Sequence, residues 1–311
     1  MSIDLSALRA MQQRRDASLG IEERFLQPVI GGKPTVAVLA EPLGQPSDVG
    51  WVVCHSLGLE QIWFYDLEVA TARALAAAGQ PVLRFHGQGY GDSAGDAADV
   101  RVPTHLRDAR EAVEVLRSTT AVTRIGLVGA RFGGAVALVV GTEVGAARVA
   151  LWDPMVDGPT YARSLSRTAA ITMLTTAGHV KAAELEALDE QDELDVSGAP
   201  LSKSLLDDVA AFAPIERLAE GGTIGAAVVV QVSKGRKARP TTDRLVQQLR
   251  RHGCDAALDV VADPGSRTWG NQRYRSTESS RMKADTQATL VPELVRRTVR
   301  WATVGLIGGA T

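Results

Sequence analysis

Gly129-Ala130-Arg131-Phe132-Gly133-Gly134 is the stretch on which the reading of this chain turns. It directly follows Ile125-Gly126-Leu127-Val128, an apolar run of strand length, and it opens a helical segment from about Phe132. Glycines on both sides of one central residue allow a sharp turn packed closely against neighbouring backbone. Working outward, apolar runs of strand length alternate with longer segments of helical period, the pattern of an α/β fold with a largely parallel sheet. Trp51-Val52-Val53-Cys54 suits a strand buried on both faces. A helix follows from about Leu59 to Ala78 and stops at Gly79. Pro81-Val82-Leu83-Arg84-Phe85 is the next strand, and Thr104 is the expected N-cap of a helix with Leu106, Ala109, Val113 and Leu116 on one face. Val149-Ala150-Leu151-Trp152 is the fourth strand.

The alternation then breaks. Residues from about 157 to 215 show no strand-like run and read as two or three polar helices, with a loop at Asp195-Val196-Ser197-Gly198. Such an insertion is placed to cover a pocket. The core pattern resumes with Ala227–Val232, a helix from about Thr241 to Arg251, and Ala257–Val261. A last helix carries Leu290, Leu294, Val295 and Val299 on one face. The expected organisation is an N-terminal segment (1–21), a first core part (22–156), a helical cap (157–215) and a second core part (216–311). The first 20 residues and the stretch from Gly265 to about Asp285 are polar and read as partly mobile.

Composition narrows the function. With 34 Lys and Arg against 36 Asp and Glu, the net charge of −2 argues against a nucleic-acid or membrane-surface binder. Two cysteines, Cys54 and Cys254, make no disulfide framework, and no pair has zinc-ligand spacing. Neither a signal peptide nor a membrane span is read, so a cytoplasmic location is expected.

The Gly129–Gly134 stretch has the location and glycine spacing of a G-x-S-x-G nucleophile elbow, and here the chain resembles the α/β-hydrolase fold. Cys54-His55-Ser56-Leu57-Gly58 matches the loop that supplies one oxyanion amide in that superfamily. Arg84-Phe85-His86-Gly87-Gln88-Gly89-Tyr90-Gly91-Asp92-Ser93 looks like the Arg-Gly-x-Gly-x-Ser turn of the serine aminopeptidase and lipase branch. Trp152-Asp153-Pro154-Met155-Val156-Asp157-Gly158 is similar to a segment of exosortase-associated hydrolase-like proteins, some of which also carry Arg at the elbow. The resemblance covers about residues 22–305. It implies a mostly parallel central sheet flanked by helices, with a helical cap insertion.

It does not imply the usual reaction. Arg131 stands where the nucleophile belongs, and a guanidinium stays protonated and cannot attack a carbonyl. The acid position offers Lys234-Gly235-Arg236-Lys237-Ala238-Arg239, and no histidine follows His252 to serve as base. His55 and His86, at carboxyl ends of adjacent strands, are the candidate acid/base groups, with Arg131 as a third candidate catalytic residue. Ser56 beside His55 is a poor nucleophile–base pair, because neighbours along a strand point to opposite faces. Ser56, Leu57, Arg131, Phe132, Asp153, Arg236 and Lys237 are the candidate ligand-binding residues, and Arg239 shares their loop. Asp153 is the expected partner of Arg131. Arginine suits carboxylate or phosphate, and a helix N-terminus favours anions.

Three readings stay open: a triad-less protein that binds an anionic or acyl-type small molecule, an enzyme of atypical mechanism acting on an ester, thioester or amide, or a structural partner in a protein assembly. No cofactor or metal is expected, since His55 and His86 lack an evident third ligand. Fold alone does not choose among the three.

Overall fold

Val52 and Cys54 point one way along their strand, Trp51 and Val53 the other, and both pairs are buried. That two-sided burial sets the architecture: a central sheet with helices on both faces. The computed structural model describes residues 12–176, 192–196, 198–235, 237–262 and 276–304. In chain order its elements begin with β1 (Gln13–Asp16), β2 (Ile21–Leu26), β3 (Val29–Ile30), β4 (Lys33–Pro34), β5 (Ala37–Pro42) and β6 (Val49–Cys54). Then come α1 (Gly58–Ala77), β7 (Val82–Phe85), α2 (Val102–Thr119), β8 (Arg124–Ala130), α3 (Arg131–Glu143) and β9 (Arg148–Trp152). The insertion holds α4 (Gly158–Thr176), β10 (Glu193–Val196), β11 (Ala199–Ser202) and α5 (Lys203–Ala211). β12 (Ala226–Ser233), α6 (Pro240–Arg251), β13 (Asp255–Ala262) and α7 (Ser276–Val304) complete the chain.

Nine strands form one sheet in the order β1-β2-β5-β7-β6-β8-β9-β12-β13. From β7 to β13 all neighbours run parallel, while β1, β2 and β5 add an antiparallel edge. This is the α/β-hydrolase fold. One face packs against α2, α3 and α6 through Leu127, Val149, Leu151 and Val229. The other carries Trp51, Val128, Ala150 and Val230 against α1 and α7, where Leu290 and Leu294 are buried and Val295 and Val299 partly so.

Three expectations need correction. Residues from Gln13 onward belong to the sheet rather than to a loose N-terminal segment, because β1 pairs with β2 and Arg24 of β2 binds Glu41 of β5 at 2.7 Å. The insertion is not purely helical: Asp195-Val196 belong to the antiparallel hairpin β10–β11, with Leu194, Val196 and Leu201 facing inward and a turn at Gly198, φ 90°. The helix α2 starts at Val102, and Thr104 caps it from inside the first turn, its hydroxyl accepting from the Arg101 N–H at 3.2 Å.

Candidate functional site

The paired strands β8 and β9 end level with each other, at Ala130 and Trp152. The next residue on each, Arg131 and Asp153, has a left-handed backbone, with φ of 51° and 47°. They are the two non-glycine residues of this kind among the described residues. For arginine such a conformation is strained and is held only by the surrounding structure; an aspartate tolerates it more readily. The elbow is held by close packing. A Cβ on Gly133 would overlap the Cys54 carbonyl oxygen, and one on Gly129 would overlap the Gly133 backbone.

Around Arg131 lies a charged network. Its Nε is 3.5 Å from Glu60 Oε1, and its guanidinium is 3.9 Å from Asp153 Oδ2 and 5.5 Å from the centre of the Tyr161 ring. Asp153 has a closer partner, because Arg239 binds its other oxygen directly. Glu60 sits in the first turn of α1 and is buried. Its Oε2 accepts from the Tyr161 hydroxyl at 2.7 Å and lies 3.3 Å from the Ser56 hydroxyl. Burial pushes the Glu60 carboxyl above its ordinary range, while the Arg131 guanidinium and the Tyr161 hydroxyl pull it back. Arg131 is held protonated by Glu60 first, then by Tyr161 and Asp153, against the cost of burial.

Arg131 forms part of the wall of a cavity of about 310 Å³. Leu57, Leu59 and Trp63 line it at the entry to α1, Leu165 and Ile171 line it from α4, and the β10–β11 hairpin closes a further side. The insertion therefore covers the elbow. Arg167, Ser164 and Thr168 of α4 also line the space, as does Trp63, whose buried indole N–H has no hydrogen-bond partner among the described residues.

The histidines are placed elsewhere. Both nitrogens of His55 are engaged: Nδ1 lies 3.0 Å from the Ser56 carbonyl, and Nε2 accepts from the Gly87 N–H at 3.2 Å. That pattern assigns the proton to Nδ1 and makes the ring neutral. Burial lowers its pKa to about 4, and the rings of Phe85, Tyr90 and His105 pack around it at 4.8–5.6 Å. His86 is partly buried, and burial and Arg84 both disfavour its charged form. Its carbonyl accepts from Ser93, whose oxygen also takes the Val36 N–H and so pins the turn to the antiparallel edge. Neither His55 nor His86 is among the residues lining the cavity.

Of the other candidates, Leu57 lines the cavity. Ser56 is fully buried, donates to the Ala130 carbonyl at 2.7 Å and accepts from the Gly133 N–H at 3.3 Å, so it ties two loops together. Phe132 is also fully buried, against His105 and Phe212. Lys237 is exposed; its carbonyl accepts from Gln231 at 3.0 Å. Arg236 lies outside the described residues. Glu60, Tyr161, Trp63 and Arg167 were not read from the sequence. Only Glu60 left a signal, as an acid in a helix's first turn just after the Cys54–Gly58 loop. Among the described residues no cluster of histidine, cysteine or acidic side chains suits a metal ion, and no helix is long and apolar enough to cross a membrane.

No family model matches the chain, and no curated protein matches it. Solved structures do. The chain is similar to Est1E from Butyrivibrio proteoclasticus bound to ferulic acid, at TM-score 0.56 and 16% identity, covering 86% of this chain and 99% of that one. It is similar to the esterase Pf2001 of Pyrococcus furiosus at 0.55 and 15%, covering 91% and 94%. A bacterial brefeldin A esterase, described as a homologue of human hormone-sensitive lipase, aligns at 0.53 and 16%, covering 96% and 81%. At these identities the likeness establishes the α/β-hydrolase fold and leaves the reaction to the site.

Proposed function

We propose that this chain is an α/β-hydrolase-fold protein without a Ser-His-Asp triad, which binds an anionic or acyl-type ligand in the cavity beside the elbow, with Arg131 as the contact for the anion. Arg131 itself is the observation that carries the reading. Its two carboxylate neighbours stand at 3.5 and 3.9 Å, well beyond the roughly 2.8 Å of a charge-assisted hydrogen bond. A planar group with five donors, held protonated and facing a cavity, therefore keeps capacity for another acceptor.

The rest of the constellation agrees with binding better than with hydrolysis. Asp153, beside the elbow, is occupied by Arg239. The loop after β12 offers no aspartate, and no histidine follows His252 in the chain. His55 is neutral and satisfied on both nitrogens, which makes it a poor base for chemistry at the elbow.

Native mass spectrometry of the purified protein tests the proposal. A small anion should leave the wild type on activation and be missing from Arg131→Ala. The protein should also resist serine-directed fluorophosphonate probes; stoichiometric labelling of Ser56 would restore the hydrolase reading.

A further inference from the structure

We infer that the cavity is built for a singly charged carboxylate with an apolar body, clamped between Arg131 at the elbow and Arg167 on the cap, with the Trp63 indole as a third donor. This rests on the reading of Arg131 as an anion contact and adds the class of ligand. The two arginines line the same cavity from different elements, one from the turn below and one from α4 above. Arg167 is exposed and makes no ion pair among the described residues, so its charge is available to a ligand. The Trp63 N–H, buried without a partner, would cost free energy unless an acceptor reaches it.

Charge sets the valence. Among the residues that line the cavity, Arg131 and Arg167 stand against Glu60, which leaves one positive charge; Asp153 and Arg239, beside it, pair with each other. Glu60 itself lines the space, so a second negative charge on the ligand would lie close to a carboxylate. A carboxylate matches the flat donor edge of a guanidinium with two oxygens and brings one charge. Leu57, Leu165, Val196 and Leu201 line the remaining wall together with Ser164 and Thr168, and these apolar side chains suit a hydrocarbon chain or ring. At roughly 30 Å³ per water-sized group, the volume holds a ligand of about ten non-hydrogen atoms.

Titration calorimetry of the full chain with octanoate, methyl octanoate, octyl phosphate and inorganic phosphate tests this. Octanoate should bind best, at least tenfold tighter than octyl phosphate at neutral pH, with no measurable binding of methyl octanoate. Arg167→Gln, a change on the exposed side of the cap helix, should weaken octanoate at least fivefold, and Trp63→Phe about threefold. Octyl phosphate binding as well as octanoate, or an unchanged octanoate affinity in Arg167→Gln, overturns the inference. If those anions still lose affinity in Arg131→Gln, the broader reading of the elbow survives. If no anion binds, or Arg131→Gln leaves every affinity unchanged, that reading falls as well.

Discussion

Two clusters of polar side chains sit at the carboxyl ends of the central strands, and they are built on opposite principles. Around His55 the groups are neutral, closely packed and satisfied: both ring nitrogens have partners, and three aromatic rings close in. Around Arg131 the groups are charged, and Arg131 itself is loosely paired, its nearest carboxylate being 3.5 Å away beside a cavity. A buried polar group with every bond made stabilises a fold, and a charged group with bonds to spare is free to meet a ligand. The comparison assigns structure to the histidine side and binding to the arginine side.

The largest effect is expected at the seam between them. Gly133→Ala would drive a methyl group into the Cys54 carbonyl and against His55 backbone, neither of which is a flexible side chain. We expect a loss of more than about 3 kcal/mol, read from denaturant unfolding. A near-normal midpoint would mean that the two clusters are not packed as rigidly as described.

Acid should damage the histidine side first. His55 has a folded pKa of about 4 against an ordinary value of 6.5. Below pH 6.5 the unfolded chain takes up a proton that the folded chain refuses, so stability is present above 6.5 and falls as pH drops towards 4. At about 1.4 kcal/mol per pKa unit, His55 alone contributes a loss of about 3 kcal/mol across that window. His105 is shifted the same way by burial. In His55→Gln the slope of stability with pH should be visibly shallower; an identical slope would remove His55 from the account.

How much of this could be read from the sequence depends on what each residue reports. The elbow and the parallel strands were legible because fully buried runs such as Val128 and Leu127 are continuously apolar and the glycine spacing is tight. The antiparallel edge was not, since Glu22, Glu23 and Arg24 break the apolar signal of β2, with Glu23 paired to Arg73 and Arg24 to Glu41. The β10–β11 hairpin hid behind short alternation and acidic residues. Within the site, adjacent strand ends bring Arg131 and Asp153 to 3.9 Å, but the closest partner of each, Glu60 and Arg239, comes from another element and not from the expected Arg131–Asp153 pairing. Tyr161 gave no warning, because an aromatic on a helix looks the same whether it fills a core or lies beside a guanidinium.

Smaller effects sharpen the arginine side. Tyr161→Phe keeps the ring near Arg131 and removes one donor to Glu60. A loss of about 1.5 kcal/mol in unfolding free energy is expected, the scale of a hydrogen bond to a charged group. Arg131→Ser should show no turnover of an activated ester above wild type, since a serine with no nearby base remains a poor nucleophile. Clear turnover would mean that a base has been overlooked.

Thermal unfolding of wild type and Arg131→Ala, each with and without octanoate, tests the central claim most directly. Without Arg131, Asp153 keeps Arg239, and Glu60, whose carboxyl burial already pushes up, takes a proton and keeps the Tyr161 hydroxyl, so neither is left as an unpaired buried charge. The account therefore predicts that the substitution alone costs about 1 kcal/mol or less, and that octanoate raises the melting temperature of the wild type but not of the variant. A loss of about 3–5 kcal/mol in the variant, the cost of breaking a buried ion pair, with no response to octanoate in either protein, would make Arg131 a structural residue and contradict the claim.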